Sequence, residues 1–271
     1  MSFIKRYLLV FSLLCIPALA YLQDSSLLFV KSVKGDITDF AADNLDNIYL
    51  FNSDNQLKKI NADGDSVAVF NDIRKYGRAS YIDVSNPLRI LLYYRNFSTV
   101  VILDRLLNIR TSIDLRKTDI YQVQAIGLSY DNNIWLYDEL ANKLKKIDET
   151  GKVLLETPDF RQLFPETPSP QRIVDRDGYV YLYDKEKAVY VFDYYGSLKN
   201  DINIRGWDNF NVIDKSVLGT TGDTLHRYDI RSFTMSREKL PEKTAGFTKI
   251  GFTQTKFYVL RKDELEIYQL K

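Results

Sequence analysis

Asn133-Ile134-Trp135-Leu136-Tyr137 and, after a short polar gap, Leu144-Lys145-Lys146-Ile147-Asp148 form the stretch that decides the fold. The first half is a run of branched and aromatic side chains, which suit a pleated, half-buried surface, and the second is a strand-like segment that ends in an acidic residue. The gap leaves room for little more than a turn, so the two runs predict an antiparallel hairpin. The same pair recurs as Asn47-Ile48-Tyr49-Leu50-Phe51 with Leu57-Lys58-Lys59-Ile60-Asn61, and as Tyr179-Val180-Tyr181-Leu182-Tyr183 with Val189-Tyr190-Val191-Phe192-Asp193. Looser copies lie at Ile90 to Tyr93 with Val100 to Asp104, at Val217 to Thr220 with Leu225 to Asp229, and at Phe257 to Leu260 with Leu265 to Tyr268. First strands therefore begin at 48, 90, 134, 180, 217 and 257, separated by 42, 44, 46, 37 and 40 residues. Short alternating strands at this period predict an all-β, six-bladed β-propeller. Helical solenoids of similar period need a sustained 3.6-residue apolar stripe, and no segment has one.

Flanking segments complete four strands per blade. Asp36 to Ala42, Gln124 to Ser129 and Arg172 to Val174 supply inner strands, and turns such as Asp131-Asn132-Asn133 and Asp175-Arg176-Asp177-Gly178 separate them from the strands that follow. Asp, Asn and Gly suit such turns because they tolerate left-handed angles and bond to nearby amides. The sixth copy ends at Lys271 without an outer strand, while a spare strand-like segment, Ser26 to Val33, precedes the first blade. Pairing the two closes the ring and removes an exposed edge. The N-terminal strand is thus expected to complete the last blade.

The Asp-x-x-Gly/Asn-x-Ile-Tyr-Leu lead-in followed by Leu-x-x-Ile-Asp resembles the repeats of NHL-type six-bladed propellers, over roughly residues 26 to 271. Blade 5 departs most from that pattern, with Gly219-Thr220-Thr221-Gly222 where the others carry bulky apolar residues.

Residues 1–20 read as an export signal. Lys5 and Arg6 form a positive start, Tyr7 to Ile16 an apolar core, and Ala18-Leu19-Ala20 a small-residue cleavage site before Tyr21. The apolar run is shorter than the ~20 residues of a membrane span. The expected organisation is a signal peptide at 1–20 and a propeller domain at 21–271, with no membrane span after cleavage. An N-terminal segment retained as an anchor is the alternative. Cys15 is the single cysteine, so cleavage leaves no disulfide or thiolate chemistry. This tilts the expected compartment toward a bacterial periplasm or cell surface. The formal charge of +1 gives no general drive toward nucleic acid, so no nucleic-acid partner is expected.

No Gly-x-Ser-x-Gly elbow, phosphate loop or Cys/His metal spacing occurs, and neither a cofactor nor a catalytic residue is assigned. His226 is the sole histidine, and aligns with Lys58 and Lys145 on what is expected to be the wetter face of a blade. The pairs Lys58-Lys59 and Lys145-Lys146 are likewise expected on solvated faces. Asp36, Asp39, Asp43, Asp46, Asp131, Asp175 and Asp177 lie on or beside inner strands, where turn formation is favoured over an axial carboxylate or Ca²⁺ site. Tyr93-Tyr94 and Tyr194-Tyr195 read as packing between blades in preference to a glycan platform.

Two connections break the repeat. Thr157 to Gln171 is long and Pro-rich and carries Phe160, Leu163 and Phe164, while Asn71 to Arg78 carries Tyr76 and Arg78 on the same expected face. Either the 157–171 loop folds its apolar residues onto the rim, or it docks a partner. Tyr76, Arg78, Phe97, Phe160, Leu163 and Phe164 are the candidate partner contacts. The expectation is a non-enzymatic scaffold binding envelope proteins. The alternative is a glycan or small-ligand binder, or a carboxylate-based hydrolase or lyase at the axial channel.

Overall fold

A computed structural model describes residues 27–241 and 246–270; the expected export signal and Cys15 lie outside them. Among the described residues no helix is long and apolar enough to cross a membrane. The described residues form twenty-four strands in six four-stranded antiparallel sheets. Blade 1 is β2 (Asp39–Ala42), β3 (Ile48–Phe51), β4 (Leu57–Ile60) and β5 (Ser66–Phe70). Blade 2 is β6 (Tyr81–Asn86), β7 (Arg89–Tyr94), β8 (Thr99–Asp104) and β9 (Ile109–Asp114). Blade 3 is β10 (Val123–Leu128), β11 (Ile134–Asp138), β12 (Lys143–Ile147) and β13 (Val153–Glu156). Blade 4 is β14 (Arg172–Arg176), β15 (Tyr179–Asp184), β16 (Ala188–Asp193) and β17 (Leu198–Ile202). Blade 5 is β18 (Asp208–Ile213), β19 (Ser216–Thr221), β20 (Thr224–Asp229) and β21 (Thr234–Lys239). Blade 6 joins β22 (Lys249–Phe252), β23 (Lys256–Arg261) and β24 (Glu264–Leu270) to the first strand of the chain, β1 (Leu27–Lys34). The protein is a six-bladed β-propeller, closed as its sequence predicts: β1 runs antiparallel to β24, from Leu27 opposite Leu270 to Lys34 opposite Glu264.

Burial explains why some strands are easy to read. The second strand of blade 2, Arg89–Tyr94, is buried along its whole length, whereas the outer strand of blade 5 is exposed along its whole length. Middle strands are covered on both faces by neighbouring blades and so read as continuous apolar runs. There is no single central core. Each pair of neighbouring blades shares its own cluster of buried side chains, including blades 6 and 1, where Tyr258, Leu260 and Ile267 meet Phe40, Ile48 and Leu50.

Turns after the third strands repeat one device. Asp104 accepts from the N–H groups of Leu106 and Asn108, Asp148 from Thr150 and Lys152, and Asp193 from Tyr195 and Ser197, all at 2.8–3.0 Å. The Asn108 side chain holds Asp104 below the usual carboxylate range, and Thr150 does the same for Asp148. These aspartates start turns, as their spacing suggests.

The lysine pairs correct an expectation. Lys58 is exposed as expected, but Lys59, Lys145 and Lys146 are buried, because the third strand is sandwiched between blades. Each ammonium finds a partner: Lys59 donates to the Arg105 carbonyl (3.0 Å), Lys145 pairs with Asp138 (2.7 Å), and Lys146 pairs with Asp131. Lys146 also sits 5.0–5.7 Å from the ring centres of Tyr130, Trp135 and Tyr194, where cation–π attraction offsets its desolvation. His226 is buried too, stacked on Trp207 with ring centres 5.0 Å apart, and bonded through Nε2 to Thr221 Oγ1. The wetter-face reading of His226 is therefore wrong. Trp207 also accounts for the irregular blade 5. A Cβ on Gly219 would lie 2.7 Å from its ring, so the bulk missing from β19 is supplied by Trp207.

Candidate functional site

Alternating strand direction puts the connections between blades and the turns between second and third strands at one end of the ring. Both irregular connections lie there, and each contains one helical turn: α1 (Ile73–Tyr76) before blade 2 and α2 (Phe160–Leu163) before blade 4. The structure separates the six candidate contacts into two groups.

The first group lies at the rim. Tyr76 and Phe97 come together, with Phe97 Cε2 3.0 Å from where a Cβ of Gly77 would be. Tyr76 itself is buried, 5.2 Å from the Tyr94 ring, because the apolar side of α1 packs onto blade 2; it corrects the expectation of an open contact. Phe97 stays about half exposed. Arg78 is exposed and turns back toward blade 1, donating to the Ser53 carbonyl at 3.0 Å. Beside Phe97 opens a cleft of about 560 Å³ that Lys75, Asp114, Arg116 and Lys117 help to line. Arg116 pairs with Asp114 at 3.0 Å, and its side chain holds that carboxylate below its ordinary range. Lys75 lies 4.7 Å over the Tyr76 ring. Arg116 and Lys117 were not among the expected contacts; they sit on a 3-10 turn (Leu115–Thr118) whose sequence carries no repeat signal.

The second group is mostly interior. Phe160 is fully buried, stacked on Phe192 (5.4 Å, 3° between planes) and tilted against Tyr137 (5.3 Å). Phe164 packs edge-on to Phe160 and Tyr190, and only Leu163 remains open. Thr157 anchors the loop by accepting from Leu144 N–H at 3.1 Å, and the Tyr137 hydroxyl donates to the Pro168 carbonyl at 2.9 Å. The connection is a hydrophobic wedge between blades 3 and 4. Phe160 is thus corrected from partner contact to core.

The axis holds a second space, a cavity of about 630 Å³ lined by inner strands of five blades. Strand register assigns one residue per blade to the same position, opposite the penultimate or last residue of the second strand: Asp39, Tyr81, Ala125, Arg172, Asp208 and Lys249. Asp39 is taken by Lys249 (2.5 Å) and Asp208 by Lys185 (2.5 Å). Arg172 of blade 4 lies 4.7 Å over the Tyr81 ring of blade 2, past Ala125. Burial pushes the Tyr81 hydroxyl well above its ordinary pKa, while the Arg172 charge works against that shift. Backbones are also close here: a Cβ on Gly127 would lie 2.9 Å from the Ile173 carbonyl oxygen.

Carboxylates along the cavity are engaged. Asp175 accepts from Ser129 Oγ (2.8 Å), Trp135 Nε1 (3.0 Å), Tyr130 N–H (3.3 Å) and Tyr194 OH (2.7 Å), clipping blade 4 to blade 3. Burial raises its pKa even so. Asp43 accepts from Leu45, Asn47 and Tyr49, and Asp83 from Ser85 N–H and Leu128 N–H. Tyr93 and Tyr94 are buried between blades, Tyr194 stacks on Tyr130 (4.3 Å), and Tyr195 is open to solvent. Among the described residues no group of three His, Cys, Asp or Glu side chains converges as metal ligands would.

No protein-family model and no curated protein matches the chain. Solved structures do. Virginiamycin B lyase from Staphylococcus aureus aligns at TM-score 0.63 and 12% identity, over 89% of this chain and 99% of that one. The Pan2 WD40 domain of Neurospora crassa aligns at TM-score 0.61 and 10% identity, over 91% and 96%. PorZ of Porphyromonas gingivalis, an essential bacterial surface component of the type-IX secretion system, aligns at TM-score 0.56 and 11% identity, over 87% of this chain and 31% of PorZ. At these identities the likeness is one of fold, and it agrees with a propeller.

Proposed function

We propose that this chain is an exported, non-enzymatic propeller that docks protein partners within a bacterial cell-envelope assembly, and that its repeats are of the NHL type. The observation that carries the reading is the rim cleft. α1, in one of the two connections that break the repeat, and the 3-10 turn Leu115–Thr118 meet there beside the half-exposed Phe97 and bring Lys75, Arg116 and Lys117 with them. An aromatic flanked by cations on a rigid scaffold has the make-up of a protein-binding hot spot. The signal-like residues 1–20 support export, and the likeness to a bacterial surface secretion component supports an envelope setting.

Affinity purification from membranes in mild detergent tests the reading, with wild type beside a Phe97→Glu/Lys117→Glu double variant. A stoichiometric protein partner is expected with wild type and its loss with the variant. Wild type recovered as a lone monomer would sink the proposal. N-terminal sequencing of the mature protein is expected to begin at Tyr21, and an uncut terminus would replace export with anchoring.

A further inference from the structure

The axial cavity contains two cations that no acid among the described residues pairs with. Among the described residues, neither Arg172 nor Arg176 forms an ion pair or hydrogen bond, and the Nε of each is buried without a partner. The acids that line the same space are committed elsewhere: Asp39 to Lys249, Asp208 to Lys185, and Asp43, Asp83 and Asp175 to the hydrogen bonds described above. Glu186 is exposed, in the turn between β15 and β16 at the mouth. Both side chains are half-buried, and their terminal guanidinium nitrogens have no acceptor among the described residues either; a charged donor gains more from a hydrogen bond than a neutral one, so the arrangement favours an acceptor brought from outside.

The positions of the two arginines define its shape. Arg172, Val174 and Arg176 alternate along β14 and project from one side of it, so the two charges are rooted roughly 13 Å apart at about 3.3 Å per residue. Arg172 stands at the end of β14 that follows the inter-blade connection, and Arg176 at the opposite end, next to the turn into β15. Between them the wall is the aliphatic Val174. The Tyr81 ring fixes the Arg172 guanidinium carbon 4.7 Å over its centre, and an arginine so placed can still take a planar carboxylate through its N–H groups. The cavity volume is in the range that holds a small molecule.

We propose that the axial cavity binds a small, elongated dicarboxylate, one acid group paired with Arg172, the other with Arg176, and its aliphatic middle against Val174. This site is separate from the rim cleft and does not depend on the docking role.

Calorimetric titration of the whole mature chain with azelate, a nine-carbon dicarboxylate, tests it against nonanoate, which has the same length and one acid group, and inorganic phosphate. Azelate is expected to bind one to one and at least tenfold tighter than either comparison. Arg172→Gln and Arg176→Gln are each expected to reduce azelate affinity about tenfold or more, to the nonanoate level, the loss typical of a charge-assisted bond. Arg172→Lys keeps the charge without the planar fork and is expected to fall between, so it carries the test if Arg172→Gln loses its cooperative unfolding. Azelate binding that is absent, equal to nonanoate, or unchanged in the arginine variants overturns the site.

Discussion

The connections into blades 2 and 4 occupy equivalent places in the ring, and each buries the aromatic of its one turn of helix, yet one fills the space between blades while the other leaves a cleft open. The blade 4 connection sinks Phe160 between Tyr137 and Phe192 and covers it with Phe164. The blade 2 connection buries its one aromatic, Tyr76, but leaves a cationic cleft open beside it, where Phe97, from the turn between β7 and β8, stands half exposed. The anchoring differs as well. Asp159 caps α2 by accepting from Arg161 N–H at 2.9 Å, while Asp72, at φ −136° and ψ 36°, makes no side-chain cap to α1. A loop that breaks a repeat can thus be a wedge that completes the core or a surface left available, and exposure after folding tells which.

Truncating the two exposed-looking phenylalanines should separate these cases most strongly. Phe160→Ala is expected to destabilise by about 3–5 kcal/mol, because a fully buried ring leaves a cavity between two blades. Phe97→Ala is expected to change stability by less than about 1 kcal/mol while weakening partner capture. Urea unfolding of both variants measures the difference. Similar losses for the two would erase the distinction between wedge and surface.

The loop anchors give a smaller contrast. Thr157, the first residue after β13, satisfies the buried N–H of Leu144, so Thr157→Val is expected to cost about 1–3 kcal/mol. Asn71, the first residue after β5, has no side-chain bond among the described residues, and Asn71→Ala should stay within about 0.5 kcal/mol. Equal effects in denaturation midpoints would mean that the 157–171 loop is not held from its base.

Ring size, blade boundaries and closure were legible because middle strands are buried on both faces and turns reuse Asp and Gly at a fixed spacing. Side-chain fates were not. Lys146 looks solvated in a polar turn-and-strand pattern, but the neighbouring blade brings Tyr194 over it, and that contact lies 48 positions along the chain. Phe160 has the local signature of an exposed anchor, and its burial depends on Phe192, 32 positions away. Of the axial layer only Asp39 was legible, as an inner-strand carboxylate able to ring the axis; Tyr81, Arg172 and Lys249 also precede a buried aliphatic residue, but strand register is needed to know that they face one another. Nor does local sequence reveal that Asp39 is spent on Lys249 and Arg172 is not.

A third connection, the one into blade 5, extends the comparison and gives the smallest expected effect. It ends in Trp207, which behaves like Phe160: the ring drops onto Gly219 and covers His226. Burial, and then the Arg237 charge, lower the His226 pKa from its ordinary 6.5. The unfolded chain therefore takes up this proton at a higher pH than the folded one does. Stability from the neutral, stacked ring is fully present above about pH 6.5 and is lost as pH falls from there through the lowered folded value. Because His226 is the only histidine, thermal melts at pH 7.5 and 5.5, compared between wild type and a variant lacking its imidazole, separate its contribution from that of carboxylates such as the partly buried Asp175, whose pKa is raised. His226→Phe keeps a ring against Trp207 and removes the proton, so it is expected to narrow the gap between the two melting temperatures. An unchanged gap would mean that Trp207 does not shield the histidine, and that the blade 5 connection belongs with the open loop before blade 2 instead of the wedge before blade 4.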